Sequence, residues 1–327
     1  MGKSRISKKT KIKKILICIL YHDVNYDISN LIKKIKVKKK DKVLIVLDGI
    51  KNIKNKKKIL KLKKNIHIIY SKKKINSIPF NRNLACKHAK KNYHIILFLD
   101  SDILPTGNIV QEHLKAHLIN NDIPVIGGPV TPSFFKEAKS IWEILDGCLS
   151  WFTSQKIKHN KFIESPYHIP TCNMSIKVDF LKEYKLKFDN NLNTGEDADF
   201  CRKVRDVKKK ILLINKAEIL HKDRTNFLSF INHHAKWGRH QYYTLYRNNK
   251  IFENLGFSFY FLFFIFYPFF MPIINLYSTI LTIYPWTKYR LIYILLLPPS
   301  YLVHLVKGLF TYLEFLFHVK KILVKLI

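Results

Sequence analysis

Four short apolar runs, separated by polar and lysine-rich segments, dominate the first third of the chain and constrain its fold. They are ILICIL from residue 15, VLIVL from residue 43, IHIIY from residue 66 and IILFL from residue 95. Near-continuous apolar runs of this length are typical of parallel strands that are buried on both faces and joined by helical crossovers. The pattern therefore predicts an α/β domain whose ligands collect at the carboxyl ends of the strands.

The fourth run ends in Asp-Ser-Asp, which places two carboxylates, Asp100 and Asp102, at the end of a predicted strand. Adjacent carboxylate oxygens suit Mg²⁺ or Mn²⁺, and such a cation can bridge the oxygens of a diphosphate. Acidic pairs at this spacing are frequent, however, and a solvated turn or a helix cap explains most of them. The motif alone leaves both interpretations open.

Two longer stretches resemble the catalytic domain of family 2 glycosyltransferases. Residues 81–105, NRNLACKHAKKNYHIILFLDSDILP, have that family's Arg-Asn at a helix start, its apolar strand and its DxD motif. Residues 172–221 follow with an Asn-bearing strand, a helix, a Gly-Glu-Asp-x-Asp motif, a second helix, a strand and a terminal His. The resemblance covers residues 12–225 and implies the GT-A fold, in which two Rossmann-like halves share one mixed sheet.

The resemblance implies roles at the donor and metal sites. Tyr21 and Asp48 are expected to contact the nucleoside, and Arg82 is expected to lie near the nucleotide. Asp100 resembles the acid on the uridine or ribose side and also a metal ligand, while Asp102 resembles the more direct metal ligand. His221 resembles the further ligand that some members supply to the metal or the diphosphate, although a lone His at a strand end is often a surface residue. The implied cofactor is Mn²⁺ or Mg²⁺.

The acids Glu196 and Asp197 follow Thr194-Gly195 at a predicted helix start. Acids at this position also stabilise a helix through its dipole and its cap, which is the structural explanation. The chemical explanation is that displacement at an anomeric carbon needs a carboxylate to accept the proton of the acceptor hydroxyl. The resemblance favours Asp197 as this base, with Glu196 as the alternative and Asp199 as a residue of the helix face.

The carboxyl-terminal part of the chain is strongly apolar. Residues 254–287 carry no charge, and residues 291–319 carry only Lys307 and Glu314. Both stretches exceed the roughly 20 residues that cross a bilayer core, so they predict a transmembrane helical hairpin with Pro268, Pro272, Pro298 and Pro299 as kinks or breaks. Two helices lying in the plane of the interface are the alternative. The connector holds only two basic residues and both flanks hold more, which predicts that both ends face the cytoplasm.

The composition excludes several other classes of protein. The formal charge of +35 comes mostly from scattered lysines without a nucleic-acid-binding motif, so we expect no nucleic-acid partner and favour anionic lipid headgroups. Five widely spaced cysteines without a CxxC pair indicate neither a disulfide framework nor a zinc site.

These observations predict a membrane-bound, metal-dependent inverting glycosyltransferase whose catalytic domain faces the cytoplasm. It would transfer a sugar from a nucleotide-diphospho-sugar to a lipid-linked or cell-surface glycan acceptor. The expected organisation is a basic tail (1–14), a catalytic domain (15–225), a basic amphipathic interface helix (226–253), two membrane segments (254–319) and a basic tail (320–327). The alternatives are a subunit of a processive polysaccharide synthase and a non-catalytic membrane protein that binds a sugar nucleotide.

Overall fold

The computed structural model describes residues 14–21, 28–47, 61, 65–71, 77–133, 138–165, 167–192, 194–248 and 250–326. The strands are β1 (Ile15–Tyr21), β2 (Lys42–Leu47), β3 (Ile66–Tyr70), β4 (Ile95–Asp100), β5 (Ile103–Pro105), β6 (Val125–Gly127), β7 (Val130–Pro132), β8 (Lys161–Phe162), β9 (Asn173–Lys177), β10 (Ile211–Leu213) and β11 (Ile219–His221). The helices are α1 (Ser29–Lys34), α2 (Ile78–Asn92), α3 (Ile109–Ile119), α4 (Ile141–Trp151), α5 (Val178–Glu183), α6 (Glu196–Asp206), α7 (Phe227–Asn248), α8 (Lys250–Thr287) and α9 (Leu297–Leu326), with a 3-10 helix at Leu291–Leu296 between the last two.

Eight strands form one mixed sheet in the order β3-β2-β1-β4-β9-β6-β10-β8. Strands β1 to β4 are mutually parallel, and β9 pairs antiparallel with both β4 and β6. The four apolar runs form these first four strands, and every residue of β1 is buried because helices and loops cover both faces of the sheet. The α/β domain with a large mixed sheet is therefore confirmed.

A second, three-stranded sheet brings distant segments together beside β4. Strand β5 follows β4 after a turn at residues 101–102, and β11 pairs antiparallel with β5 and parallel with β7. The buried side chain of Asn173 supports this arrangement by donating hydrogen bonds to the carbonyl oxygens of Pro129 and Ala217, at 3.2 and 2.7 Å, just before β7 and β11. The residues after β4 and the end of β11 consequently share one edge of the domain.

Helices α7, α8 and α9 form a layer against the flank of this domain. The ring of Tyr242 in α7 contacts the rings of Phe264 in α8 and Phe315 in α9, with centroids 5.2 and 6.3 Å apart. Helices α8 and α9 run antiparallel, because Phe264 contacts Phe315 near one end and Thr282 lies 3.1 Å from His304 near the other. The two apolar stretches therefore form a helical hairpin.

The prolines of the hairpin do not break it. Helix α8 continues through Pro268 and Pro272, so the break expected at these residues is absent. Pro298 and Pro299 lie in the first turn of α9, where the missing amide hydrogen needs no helical partner. Over the described residues, Phe261–Thr287 and Leu291–Lys321 are long and apolar enough to cross a membrane, with mean hydropathies of 1.6 and 1.4. Length and composition alone do not distinguish a span from a helix that lies in the membrane surface.

Candidate active site

Three potential metal ligands converge where β4 ends. Asp100 is the last residue of β4, Asp102 lies in the following turn, and His221 ends β11. Since His221 pairs in register with Ile103 of β5, its ring is carried to the turn, and its Nε2 lies 3.5 Å from Oδ1 of Asp102. One ligand atom from each residue lies within 4.8 Å of the others. Sequence reasoning assigned these three residues to one site, and the fold brings them together.

Two residues that the sequence did not indicate, Asp223 and Trp151, contact the ring of His221. Its Nδ1 lies 3.3 Å from Oδ1 of Asp223, and the same oxygen accepts a hydrogen bond from Nε1 of Trp151 at 2.7 Å. The Trp151 ring also lies against the imidazole, with centroids 4.5 Å apart. Burial alone would lower the pKa of His221, but the charges of Asp102 and Asp223 raise this pKa to about 9.

A buried arginine links the metal-ligand cluster to the second acidic motif. Arg82 in α2 places Nη2 3.7 Å from Oδ1 of Asp100, and its Nη1 donates a hydrogen bond to Oε1 of Glu196. Both Arg82 and Glu196 are buried. Burial raises the pKa of Glu196 to about 7; Arg82 opposes this rise and Asp197 adds to it. Asp100 and Glu196, which are 96 positions apart in the chain, thus share the guanidinium of Arg82. From the sequence, Arg82 was predicted only to lie near the nucleotide.

Asp197 lies at the start of α6, beside the buried Glu196. The preceding residue, Gly195, has φ of +70°, a conformation that side chains other than glycine rarely adopt. The carboxylate of Asp197 accepts a hydrogen bond from the amide of Ala198 at 2.8 Å, and Nε2 of His168 lies 3.7 Å away. Asp197 is partly exposed, unlike Glu196, so it is the member of the pair that a substrate hydroxyl can approach.

Asp199 is buried on one face of α6, where it pairs with basic residues of the same helix. Its carboxylate pairs with Arg202 at 2.9 Å and with Lys203 at 2.7 Å, one turn further along the same helix. These contacts agree with its expected place on a helix face.

Cys172 is buried near the acids of both motifs. Burial raises the pKa of its thiol well above the usual value, and the negative charges of Asp100, Asp102 and Asp197 add to the rise. A thiol held neutral in this way packs as a small apolar residue. The side chains of Asp100 and Asp102 are one-third exposed, so the cluster is open to solvent.

The donor set fits a divalent cation. Oδ1 of Asp102 is buried and has no hydrogen-bond partner within the described part of the chain, although an unsatisfied carboxylate oxygen is costly to bury. Two carboxylates and one imidazole are ligands that Mn²⁺ accepts, and Mg²⁺ prefers the carboxylates alone. Asp100, Asp102 and His221 are therefore the residues that would hold the cation.

One of the two residues expected at the nucleoside lies in the core and outside this cluster. Tyr21 ends β1 and is buried in the core, with an exposed fraction of 2%. Asp48 lies outside the described residues. Their contact with a nucleoside stays a prediction. The supporting pair Asp223 and Trp151 was missed because only the spacing His-x-Asp at residues 221–223 hints at it, and nothing local points to Trp151.

Comparison with known proteins agrees with this fold. No family model matches the chain. The chain is 28% identical over 193 residues to the minor teichoic acid biosynthesis protein GgaB of Bacillus subtilis (strain 168), an alignment that spans 56% of this chain and 20% of that protein. The mannosyltransferase PcManGT of Pyrobaculum calidifontis, solved with GDP-Man and Mn²⁺, matches 72% of this chain and 64% of its own with 10% identity and a TM-score of 0.51. S. aureus TarS matches 72% of this chain and 40% of its own with 15% identity and a TM-score of 0.48.

The chain is thus homologous to a part of GgaB and has the GT-A glycosyltransferase fold followed by a carboxyl-terminal helical hairpin. It spans a fifth of the length of that curated relative.

Proposed function

We propose that this chain is a metal-dependent inverting glycosyltransferase of the family 2 type. It transfers a sugar from a nucleotide-diphospho-sugar to a lipid-linked or cell-surface glycan acceptor, and its apolar carboxyl-terminal segments attach it to a membrane with the catalytic domain in the cytoplasm. The observation that carries the proposal is the convergence of Asp100, Asp102 and His221 on one side of Arg82, with Glu196 on the other side.

The donor half of the site is suited to a diphosphate. A cation held by the three converging ligands would neutralise the charge that grows on the departing nucleoside diphosphate. Arg82 adds a fixed positive charge between Asp100 and Glu196, and its burial strengthens its interaction with a phosphate oxygen. Asp223 and Trp151 hold the His221 ring so that its Nε2 faces Asp102. The solved PcManGT complex makes GDP-mannose and Mn²⁺ candidates for the first assays.

The acceptor half needs a base, and Asp197 fits this role better than Glu196. The carboxylate of Glu196 is buried and already accepts a hydrogen bond from Arg82. Asp197 is adjacent, partly exposed and free of any arginine contact among the described residues. It can accept the proton of an acceptor hydroxyl while that oxygen attacks the anomeric carbon, which inverts the configuration at that carbon.

Two observations support a membrane-bound or envelope acceptor. Homology to a part of GgaB, a teichoic acid biosynthesis protein, points to an envelope polymer as the class of acceptor. The apolar hairpin points to membrane attachment. A non-catalytic descendant would have no use for the buried Arg82–Glu196 pair and the unsatisfied Asp102 oxygen together.

The decisive experiment incubates the detergent-solubilised full chain with a panel of nucleotide sugars and Mn²⁺ and measures released nucleoside diphosphate. We expect release from one class of donor, its loss in excess EDTA, and a loss of at least about 100-fold in Asp102→Asn. Asp179→Asn is the matched control, because Asp179 is exposed on α5 and pairs only with Lys182 among the described residues.

The outcomes separate the alternatives. Donor binding without any release would indicate a non-catalytic binding protein. Full release in excess EDTA would exclude the metal-bridging role of Asp100, Asp102 and His221. Long products from a single encounter with acceptor would favour the processive synthase.

A further inference from the structure

The hairpin of α8 and α9 buries a row of polar side chains, beside aromatic contacts such as Phe264–Phe315, and exposes apolar side chains. Buried polar residues lie along the inner faces of both helices; they are Asn275, Thr279, Thr282, Ser300, His304, Lys307 and Thr311. Exposed apolar residues follow one stripe of α8 at helical spacing; they are Leu262, Phe266, Phe269, Ile273, Leu276, Ile280 and Tyr284. Soluble monomers rarely expose a continuous apolar surface of this extent, so the stripe requires a non-aqueous partner.

The two charges of the second apolar segment point away from that stripe. Nζ of Lys307 lies 5.1 Å from the centre of the Trp237 ring in α7. One of the Glu314 oxygens accepts a hydrogen bond from the hydroxyl of Tyr243 at 2.8 Å. Both charged side chains of the second apolar segment therefore contact α7, and the outer face of α9 is left to apolar residues such as Leu302, Leu309 and Leu313.

Helix α7 in turn lies on the catalytic domain. Nε2 of the buried His234 lies 3.0 Å from Oδ1 of Asp146 in α4. Six residues later, His240 packs so closely on Gly195 that a Cβ there would lie 2.1 Å from the His240 ring. The catalytic domain consequently contacts α7 at α4 and at the start of α6.

These contacts place the catalytic domain alongside the hairpin, not beyond one end of it. Near the carboxyl end of α8, Nε1 of Trp286 donates a hydrogen bond to the Cys148 carbonyl of α4 at 2.9 Å. Near the other end, Phe264 contacts Tyr242, which lies two residues after His240. Residues 264 and 286 are about 33 Å apart along a helix, and the hydrocarbon core of a bilayer is about 30 Å thick.

If α8 and α9 crossed the bilayer perpendicular to its plane, the flank of the polar catalytic domain would therefore lie in the hydrocarbon core. We propose that α8, the 3-10 helix and α9 instead lie in the plane of one leaflet, with their apolar face in the lipid and α7 between them and the catalytic domain. The occupant of the exposed face is a lipid monolayer with anionic headgroups.

The charges at the two ends of the hairpin complement such a surface. Lys288 and Arg290 are exposed in the connector, and Lys320 and Lys321 are exposed at the opposite end of α9. In the plane of one leaflet all four can reach the same layer of headgroups, where each basic residue contributes about 1 kcal/mol to binding. Across a bilayer, the two pairs would face opposite compartments.

This placement brings the lipid close to the proposed acceptor base. Within the described part of the chain, α7, a helix about 10 Å across, contacts both the hairpin and the turn that carries Gly195 and Asp197. A lipid-linked acceptor in the same leaflet could present its sugar to Asp197 without leaving the bilayer. This consequence rests on the proposed function, whereas the placement itself requires only that the hairpin binds lipid.

The first test measures depth in the membrane at four positions of the stripe. Leu262→Cys, Phe269→Cys, Leu276→Cys and Tyr284→Cys are each labelled with a nitroxide in the full chain, and the five native cysteines are all buried. The chain is reconstituted in vesicles of phosphatidylethanolamine and phosphatidylglycerol, and the depth of each label is read from its accessibility to oxygen and to a water-soluble nickel complex. The expected result is one shallow depth of about 5–10 Å at all four positions.

Two other results would overturn the proposal. A profile that is deepest in the middle of α8, about 15 Å below the headgroups, and shallow at its ends indicates a span. Labels that are shielded from both oxygen and nickel indicate that a second copy of the chain covers the stripe. Lys158→Cys, on an exposed position of the catalytic domain, provides the fully aqueous reference.

The second test determines on which side of the membrane each end of the hairpin lies. Lys288→Cys and Lys320→Cys proteins in sealed vesicles are treated with an impermeant maleimide. Vesicles prepared in the same way with Lys158→Cys protein must be fully labelled, which shows that the catalytic domain faces outward. In-plane helices leave both residues as reactive as residue 158, whereas protection of residue 288 until detergent is added contradicts the proposal. Neither test needs a nucleotide sugar, so a failure of the proposed transferase activity is recognised separately.

Discussion

At the scale of single residues, the adjacent acids Glu196 and Asp197 have different surroundings. Glu196 is buried against Arg82, whereas Asp197 is partly exposed and lies 3.7 Å from Nε2 of His168. By position along the chain, both are acids in the first turn of α6. Burial therefore holds Glu196 against Arg82, and Asp197 stays the proposed base for the acceptor.

Replacing Asp197 by Asn tests the base directly. The amide retains the shape and the hydrogen bond from the Ala198 amide but cannot accept a proton. We expect transfer to fall by about 10²- to 10⁴-fold, with little change in the Kd for the donor. Initial rates and donor titration of the same preparation provide both numbers. Near-normal transfer in Asp197→Asn would exclude it as the base.

The pH dependence of transfer should report Glu196. Its pKa of about 7 means that, as the pH falls through 7, the carboxyl gains a proton and loses its charge interaction with Arg82. Arg82 then pairs more closely with Asp100, so we expect kcat/KM to decline on the acidic side of pH 7. The pH profile of the Glu196→Gln variant should lack this limb and resemble the low-pH form of the wild type. If the Glu196→Gln variant still shows the decline of kcat/KM below pH 7, that decline belongs to another titrating group.

At the scale of elements, the crossing of α7 and α9 depends on a glycine. A Cβ on Gly238 would lie 2.4 Å from the Lys307 carbonyl oxygen, and the hydroxyl of Thr311 donates a hydrogen bond to the Gly238 carbonyl at 2.8 Å. The backbones of the two helices thus meet in direct contact. The close contact of the two backbones lets residues of α7 reach Lys307 and Glu314 of α9.

Gly238→Ala should therefore destabilise the protein, against the ordinary helical trend. In a solvated helix interior the change from glycine to alanine stabilises by about 1 kcal/mol. Here the added methyl meets backbone that cannot move aside, and we expect a loss of about 1–3 kcal/mol in the free energy of unfolding. Thermal unfolding in detergent measures it. Gly107→Ala is the control, since nothing lies within 4 Å of its Cβ position. A raised Tm for Gly238→Ala would contradict the crossing.

At the scale of the whole molecule, the hairpin and the catalytic domain share a core. Leu145 and Cys148 of α4 pack with Phe230 of α7 and with Trp286 of α8 in one buried cluster. The amino-acid sequence suggests that truncation near residue 249 releases an intact soluble domain. The shared core leads to a different expectation.

A chain ended after Asn248 should leave the membrane but lose stability. It exposes Leu145, Phe230 and Tyr242, each of which contributes about 1.5–3 kcal/mol by burial. We expect the Tm to fall by about 10 °C, with aggregation on concentration. Fractionation and thermal unfolding of the truncated chain check both parts, and added Phe230→Gln and Tyr242→Gln substitutions should restore solubility. A truncated chain that melts like the full chain would show that the shared core contributes little.

The amino-acid sequence by itself determined the features that depend on neighbours along the chain. Continuous apolar runs define β1 to β4, the Asp100–Asp102 pair ends a buried strand, and two long apolar stretches form the hairpin. Each of these follows from local periodicity, because a buried strand or a lipid-facing helix selects its residues position by position.

Only the tertiary structure decided which distant residues meet. The pairing of β5 with β11 brings His221 to Asp102. Hydrogen bonds between Asn83 of α2 and Phe188, a residue before α6, accompany the contact of Arg82 with Glu196, 114 positions away. The crossing of α7 and α9 lets Lys307 and Glu314, two charges that oppose a membrane segment, contact Trp237 and Tyr243 of α7. Strand order and helix crossings arise from the packing of the whole core, and no local pattern of residues encodes them.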